Sequence, residues 1–390
     1  MASTPDSPST SRGLAGVTAG RTAICSLEGT LRYRGYDIAD LVAGSFEETA
    51  YLLLRGSLPT ATELDAFSNR IRKAARSLPP LIPELLARLA KAAPQASTMD
   101  ALRTAVSALG QLAVDNGPQM PVDQLARETQ TTIAEQLIGQ VAAALATWVD
   151  LTNDRTPASW PEQPLAAALL SRLRGGAISS AEAEAFDTTL ILYAEHEFNA
   201  STFAARTVTS TGADMHSAVT AAIGALKGPL HGGANEKVLQ QLGEIGSLDR
   251  VEPWLAEQLA ARRVVMGFGH RVYKQGDVRA VLLADVCRGL IRTDGMAESH
   301  QQLEQLADRL EGLMLEQKGL KPNLDWPAAR VYHALGLPIS VFTPIFVVAR
   351  MSGWTAHVVE QMGDNRLIRP LSEYRGAAPR AYSMLAERST

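Results

Sequence analysis

Residues 227–236 read KGPLHGGANE, and they divide one helical pattern from the next. An alanine-rich pattern (Ala218, Ala221, Ala222, Ala225) stops at the breaker pair Gly228-Pro229, and a new one opens near Asn235. Between them stands His231, followed by Gly232 and Gly233, which let the backbone take positive φ or approach a ligand closely. The start of the following helix supplies free N–H groups and a positive dipole end, so a neutral imidazole is expected there rather than an imidazolium. Alone, a histidine beside glycines is most often a turn residue. Gly269-His270 and Asp325 give this one chemical company.

The 390 residues are 46% hydrophobic and 5% aromatic, with Ala and Leu abundant. A chain of that size buries a large core, and this composition predicts two lobes of close-packed helices. A net charge of −4 excludes global attraction to nucleic acid, so an anionic ligand must meet local basic clusters. Cys25 and Cys287 match no metal or redox spacing and read as reduced core thiols. No apolar run approaches the ~20 residues of a membrane span. Residues 1–12, which open MASTPDSPSTS, lack a basic n-region and an apolar h-region and read as a disordered tail. The expected location is the cytoplasm.

Residues 21–38 alternate and turn at Glu28-Gly29, which predicts a small hairpin. Helices follow. Ser45 with Glu48, Thr60 with Glu63 and Ser179 with Glu182 have capping-box spacing ahead of apolar runs. Residues 99–114, 121–150, 300–317 (core stripe Leu303, Leu306, Leu310, Leu313) and 347–361 read as helices, and 153–164 as a polar, proline-rich loop. His196 lies near a helix end, between Glu195 and Glu197. From Arg262 to Arg279 five basic residues accompany one acid, and Gly267 and Gly269 make that run a loop suited to a phosphate-bearing ligand. It matches neither a Walker loop nor a dinucleotide fingerprint. Asp325, just before a helix expected from about Pro327, reads by default as an N-cap.

Together, two glycine-flanked histidines and an aspartate suit removal of a proton beside a carbonyl, with stabilisation of the resulting enolate. Separated arginines and a third histidine suit a dicarboxylate. In the order YRGYDIADL, SFEETAYLLLRG, EHEFNASTFAARTVTST, GALKGPLHGGANEKV, GFGHRVYK, KPNLDWPAARVYHALGLP, GWTAHVVEQ and NRLIRP, the chain resembles citrate synthase, in the shorter bacterial form shared with 2-methylcitrate synthase, from about Gly13 to Gly376.

The resemblance implies an all-α fold in two domains with a minor N-terminal β-hairpin. Residues 13–225 with 331–390 would form the large domain and 226–330 the small one, the active site lying in the cleft between them. It implies acetyl-CoA and oxaloacetate as substrates, no metal or other cofactor, no nucleic-acid or membrane partner, and a homodimer. Asp325 would take a methyl proton from acetyl-CoA, His231 would hold the thioester oxygen, and His270 would polarise the ketone of oxaloacetate. His196, Arg279 and Arg350 would hold oxaloacetate, with Arg369 reaching in from the other subunit, while Arg271 and Lys274 would meet CoA phosphates. Water would then cleave citryl-CoA. A 2-methylcitrate synthase using propionyl-CoA, a citryl-CoA lyase and a non-catalytic helical scaffold are the alternatives. Val278, Leu371 and Thr98-Met99 depart from the family pattern, where proline, a second basic residue and a His-Pro pair are common. The remaining histidines, His216, His300, His333 and His357, read as helix surface or satisfied core.

Overall fold

The computed structural model describes residues 16–113, 124–270, 273, 276–291 and 298–388. Three two-residue strands, β1 (Cys25–Ser26), β2 (Arg32–Tyr33) and β3 (Tyr36–Asp37), form an antiparallel sheet in that order. Its registers pair Cys25 with Tyr33 and Tyr33 with Tyr36. The sequence pattern predicts only a hairpin here; a second turn at Arg34-Gly35, with both residues at positive φ, adds the third strand. Strands this short show too little alternation to be counted from sequence.

The first ten helices are α1 (Ile38–Leu41), α2 (Phe46–Arg55), α3 (Ala61–Arg76), α4 (Leu81–Ala92), α5 (Thr98–Leu112), α6 (Gln124–Thr152), α7 (Leu165–Arg174), α8 (Ser180–Tyr193), α9 (Ala200–Ser210) and α10 (Met215–Leu226). After them come α11 (Ala234–Ile245), α12 (Val251–Ala260), α13 (Val278–Ile291), α14 (Glu298–Lys318), α15 (Asp325–Ala334) and α16 (Phe342–Gly363). Thr60 with Glu63 and Ser179 with Glu182 close full capping boxes, whereas Ser45 caps α2 through one bond, from Glu48 N–H. The 153–164 segment is a loop, although Trp160 within it is buried.

Helix α16 is the axis of the bundle, packing against α2, α6, α8, α9 and α10, while α6 also meets α3, α4, α5 and α7. With the turn before it, the segment Ile339–Gly363 is long and apolar enough to cross a bilayer, which the sequence reading missed. Its apolar window is 83% buried inside the protein, so it is a core helix. Helices α11 to α15 pack among themselves, α11 on α14 and α15, α12 on α14, and α13 on α15. They meet the rest of the bundle through α1, α8 and α16.

One close approach fixes a site-bearing turn. A Cβ at Gly353 of α16 would lie 2.2 Å from Glu195 Oε2 and 2.4 Å from Ala194 O. Only glycine lets the turn after α8 lie against α16. Buried Glu195 in that turn accepts from His357 Nε2 (2.9 Å), and His357 Nδ1 accepts from Arg206 Nη1 (2.9 Å). Arg206 Nη1 also reaches Glu360 Oε2 at 2.7 Å. An arginine nitrogen has only protons to give, which fixes the His357 tautomer and leaves its Nε2–H to hold the turn.

Candidate active site

A cavity of about 890 Å³ is lined by His196, His231, His270, Arg279, Asp325 and Arg350. These come from six separate segments, and each is set in place by local geometry. His231 sits in the turn between α10 and α11. A Cβ on Gly232 would meet Leu226 O at 2.1 Å, and Gly233 caps α11 at φ 75°. The His231 ring leans toward a different helix from the one the sequence suggests. Its Nε2 lies 3.2 Å from Ser201 N and 2.9 Å from Ser201 Oγ, at the start of α9. A backbone N–H can only donate, so Nε2 accepts and the neutral ring carries its proton on Nδ1. Burial first, then the Arg350 charge, lowers its pKa to about 4. The positive end of α9 acts in the same direction.

His270, Arg279 and Asp325 belong to one rigid cluster. Gly269 N donates to Lys321 O (2.9 Å) and Asn323 N to Gly267 O (2.9 Å), with Phe268 and Pro322 paired between them. The Asn323 side chain donates to Gly269 O (3.0 Å) and accepts from Asp325 N (3.1 Å). Buried Asp277 accepts from Arg279 Nε (3.0 Å) and Nη2 (2.8 Å), and also from Leu324 N (3.2 Å). Val278 opens α13, and Arg279 beside it is held by these Asp277 bonds.

Asp325 does not cap α15. It is the helix's first residue, and Tyr193 donates to its Oδ1 at 2.6 Å. Burial pushes its carboxyl above the usual range, against the opposing pull of the Tyr193 bond. A carboxylate held this way is a stronger base than an exposed one.

Arg350 is 2% exposed; its Nε donates to Tyr193 O at 2.6 Å and its guanidinium lies 4.5 Å from the Phe346 ring centroid. Among the described residues no carboxylate stands within ion-pair distance, and Glu195 favours its charge only from farther off. His196 meets Tyr273 OH at 3.0 Å, and its ring centroid is 5.1 Å from that of His270. Burial, then Arg279 and Arg350, hold His196 well below the usual histidine pKa; burial and Arg279 lower His270 as well. The cavity therefore sets two guanidiniums and three neutral imidazoles around one shielded carboxyl. That arrangement can bind a small polyanion and remove a proton near it.

Six of the nine residues singled out from sequence meet in this cavity. Arg369 does not; it is exposed on the C-terminal segment, as is Leu371. Arg271 and Lys274 lie outside the described residues, as does the tail over residues 1–12. Thr98 opens α5 behind the N-cap Ser97. His357 and His216 are buried, and the His300 and His333 ring centroids lie 4.6 Å apart with the rings tilted. Sequence reading missed Tyr193, Ser201, Asp277 and Asn323. Only Asp277, two residues before Arg279, carried a local signal. Among the described residues no group of three or more His, Cys, Asp or Glu is arranged to hold a metal ion.

Comparison with known proteins finds relatives that match nearly the whole chain. A protein-family model described as citrate synthase, C-terminal domain, matches residues 13–371. The chain is 41% identical to 2-methylcitrate synthase 2 of Corynebacterium glutamicum, covering 97% of each chain. It is 40% identical to citrate synthase 2 of Bacillus subtilis, covering 97% of this chain and 99% of that one. Its fold superposes with a TM-score of 0.89 on the citrate synthase of Thermoplasma acidophilum, solved with carboxymethyl coenzyme A and oxaloacetate. That chain is 31% identical, and the match covers 97% of this chain and 99% of that one.

The protonation of His231 is directly measurable. An unfolded imidazole protonates near pH 6.5, whereas this one resists to about 4. The unfolded state therefore binds the extra proton first, and stability is lost as pH falls from about 6.5 toward 4. Nitrogen NMR should show a single Nδ1–H tautomer titrating near 4, and His231→Asn should flatten part of that loss. A midpoint near 6.5, or an Nε2–H tautomer, contradicts the assignment.

Proposed function

Since the chain belongs to the citrate synthase family, we propose that it condenses acetyl-CoA with oxaloacetate and hydrolyses the citryl-CoA formed to citrate and CoA. The observation that carries this reading is Arg350, a buried cation facing the cavity with no carboxylate within ion-pair distance among the described residues. A substrate carboxylate completes that pair.

In this reading Asp325 takes a proton from the acetyl methyl, while His231, neutral and protonated on Nδ1, donates a hydrogen bond to the thioester oxygen. A thioester methyl is a weak carbon acid, so the base works only if the developing enolate oxygen is stabilised at once. A neutral imidazole does this without a competing charge, as in other enolising sites. The enol carbon then attacks the ketone carbon of oxaloacetate. His270 polarises that ketone and delivers a proton to its oxygen as the bond forms. His196, Arg279 and Arg350 hold the two carboxylates, and holding both reactants face to face supplies up to ~10 kcal/mol of the barrier in ideal systems. Arg271 and Lys274 meet CoA phosphates. Water then attacks the thioester carbonyl, and CoA leaves as the thiol. No metal or other cofactor enters these steps.

The same reading assigns residues 226–330 to a small domain that closes on a large one, formed by 13–225 and 331–390. It makes the protein a homodimer in which Arg369 of the partner subunit completes each site. The C-terminal segment supports a partner of this kind. It carries Leu371, Tyr374 and Tyr382 at 79–90% exposure, which suits an arm with another surface to cover. A cytoplasmic location is supported by two buried cysteines that are not bridged to each other. The names of the relatives favour one second reading, 2-methylcitrate synthase with propionyl-CoA. One added methylene shifts selectivity by only about 1–3 kcal/mol, so both thioesters belong in the assay.

Thiol release from acetyl-CoA with oxaloacetate tests the reaction, with propionyl-CoA run in parallel. Asp325→Asn should lower turnover by ~10²–10⁴ while the protein stays folded, and should stop exchange of the acetyl methyl protons with solvent. Turnover within about tenfold of wild type would remove Asp325 from the chemistry. The subunit claim has its own test. Arg369→Ala and Asp325→Asn proteins, each nearly inactive alone, should regain activity when their subunits are mixed and exchanged. No recovery after verified exchange means that Arg369 serves its own chain or none.

A further inference from the structure

A second cavity, of about 710 Å³, lies on another part of the molecule. Helix α13 forms one wall with Val286, Gly289 and Leu290, and the facing wall comes from residues 42–45, the start of α7 and residues 181–188 of α8. None of the proposed catalytic residues lines it. Most of the lining is small and apolar, from Ala, Val, Gly and Leu. Its ionisable members, Asp187 and Glu184, are both acids, and no Lys, Arg or His is among the described lining residues.

Asp187 is more than a surface acid. Its two oxygens accept from Phe46 N at 3.2 and 3.0 Å, at the start of α2. The next residue, Glu47, is 4% exposed; its Oε1 accepts from Leu165 N at 2.7 Å, and its Oε2 is buried with no hydrogen-bond partner. Leu165 sits between Pro164 and Ala166, both in the cavity wall. Two carboxyl groups thus lie at or just behind one apolar wall, and each repels charge on the other. Among the described residues neither has a cation within ion-pair distance; Arg72 acts on Glu47 only from farther away. Burial, followed by the charge of Glu47, pushes Asp187 up to about 8. A buried acid pair of this kind either keeps a proton or takes a cation from outside.

We propose that this cavity binds a small organic cation, an ammonium group on an apolar body, with Asp187 as its counter-ion. Its size falls within the range of small-molecule sites, and its lining combines an apolar body with one fixed polar anchor, as such sites do. The location gives occupancy a route to the active site. Helix α13 begins beside Arg279, and α8 ends at Tyr193, which bonds Asp325. The binding claim stands apart from the condensation reaction, because it is read by binding and not by turnover.

Cyclohexylammonium chloride is a suitable probe, with cyclohexanol as its neutral counterpart, each titrated calorimetrically into the full-length protein. Wild type should bind the ammonium saturably and at least about tenfold more tightly than the alcohol, the range expected for a charge-assisted contact. Asp187→Asn keeps an acceptor for Phe46 N but removes the charge, and should weaken ammonium binding by a similar factor. Gly289→Phe is the second variant: a Cβ there meets nothing within 4 Å, so the ring can enter the cavity without a clash at its root. It should fold, as a melting curve will show, and should exclude the probe. Absence of saturable binding in wild type, equal binding of cyclohexanol, or undiminished binding by Asp187→Asn each overturns the proposal.

Discussion

Two guanidinium groups held away from bulk water are the constraint on which the site depends. Asp277 neutralises Arg279 with two bonds and ties it to the start of α15. Arg350 has no such partner among the described residues, only a carbonyl and the face of a ring. A buried charge left unpaired destabilises a fold by about 3–5 kcal/mol when a partner is removed from an existing pair. Such a cation persists because the rest of the bundle over-determines its position, and strain of this kind collects where a ligand will relieve it. Burial first, then both arginine charges at His196 and Arg279 alone at His270, lower the pKa of these two imidazoles.

The bundle is arranged to keep that site rigid. Helix α16 carries Arg350, and through Gly353 and His357 it also fixes the turn that bears His196. The first turn of α9 supplies the backbone donor, Ser201 N–H, that sets the His231 tautomer. The paired segments 267–269 and 321–323 bring His270 and Asp325 together. Tyr193 ties α16 to α15: its carbonyl accepts from Arg350 and its hydroxyl donates to Asp325. The Asp325 carboxyl and the Arg350 guanidinium are therefore held by one residue, which limits how far either drifts from the other.

Much of this was legible in the chain. Helical periodicity and capping pairs placed most helices, because amphipathic faces and N-caps are local features. His231 and His270 stood out because glycines flank them, and Arg279 because it ends a basic run, whereas Asp325 read by default as an N-cap and took a catalytic role only with the two histidines and the resemblance. Features set by tertiary contacts were less legible. The N-cap reading of Asp325 failed because its carboxyl turns to Tyr193, more than a hundred residues away in sequence. The helix start that meets His231 is that of α9, thirty residues upstream, and not the adjacent α11. Ser201 and Tyr193 look like ordinary helix residues until the fold brings them to the cavity.

The most direct test of the account is oxaloacetate binding by calorimetry to wild type and Arg350→Gln, with melting temperature taken on the same preparations. If the missing counter-ion of Arg350 is a substrate carboxylate, wild type binds oxaloacetate without any CoA thioester present. The variant should lose at least about a hundredfold in affinity, as expected for truncating one partner of a desolvated charge pair. Its melting temperature should be unchanged or higher, because an uncompensated buried charge has been removed. Retained affinity within about threefold, a small fraction of that loss, would contradict the account. So would a collapse of stability, which would show that Arg350 serves the fold and not the ligand.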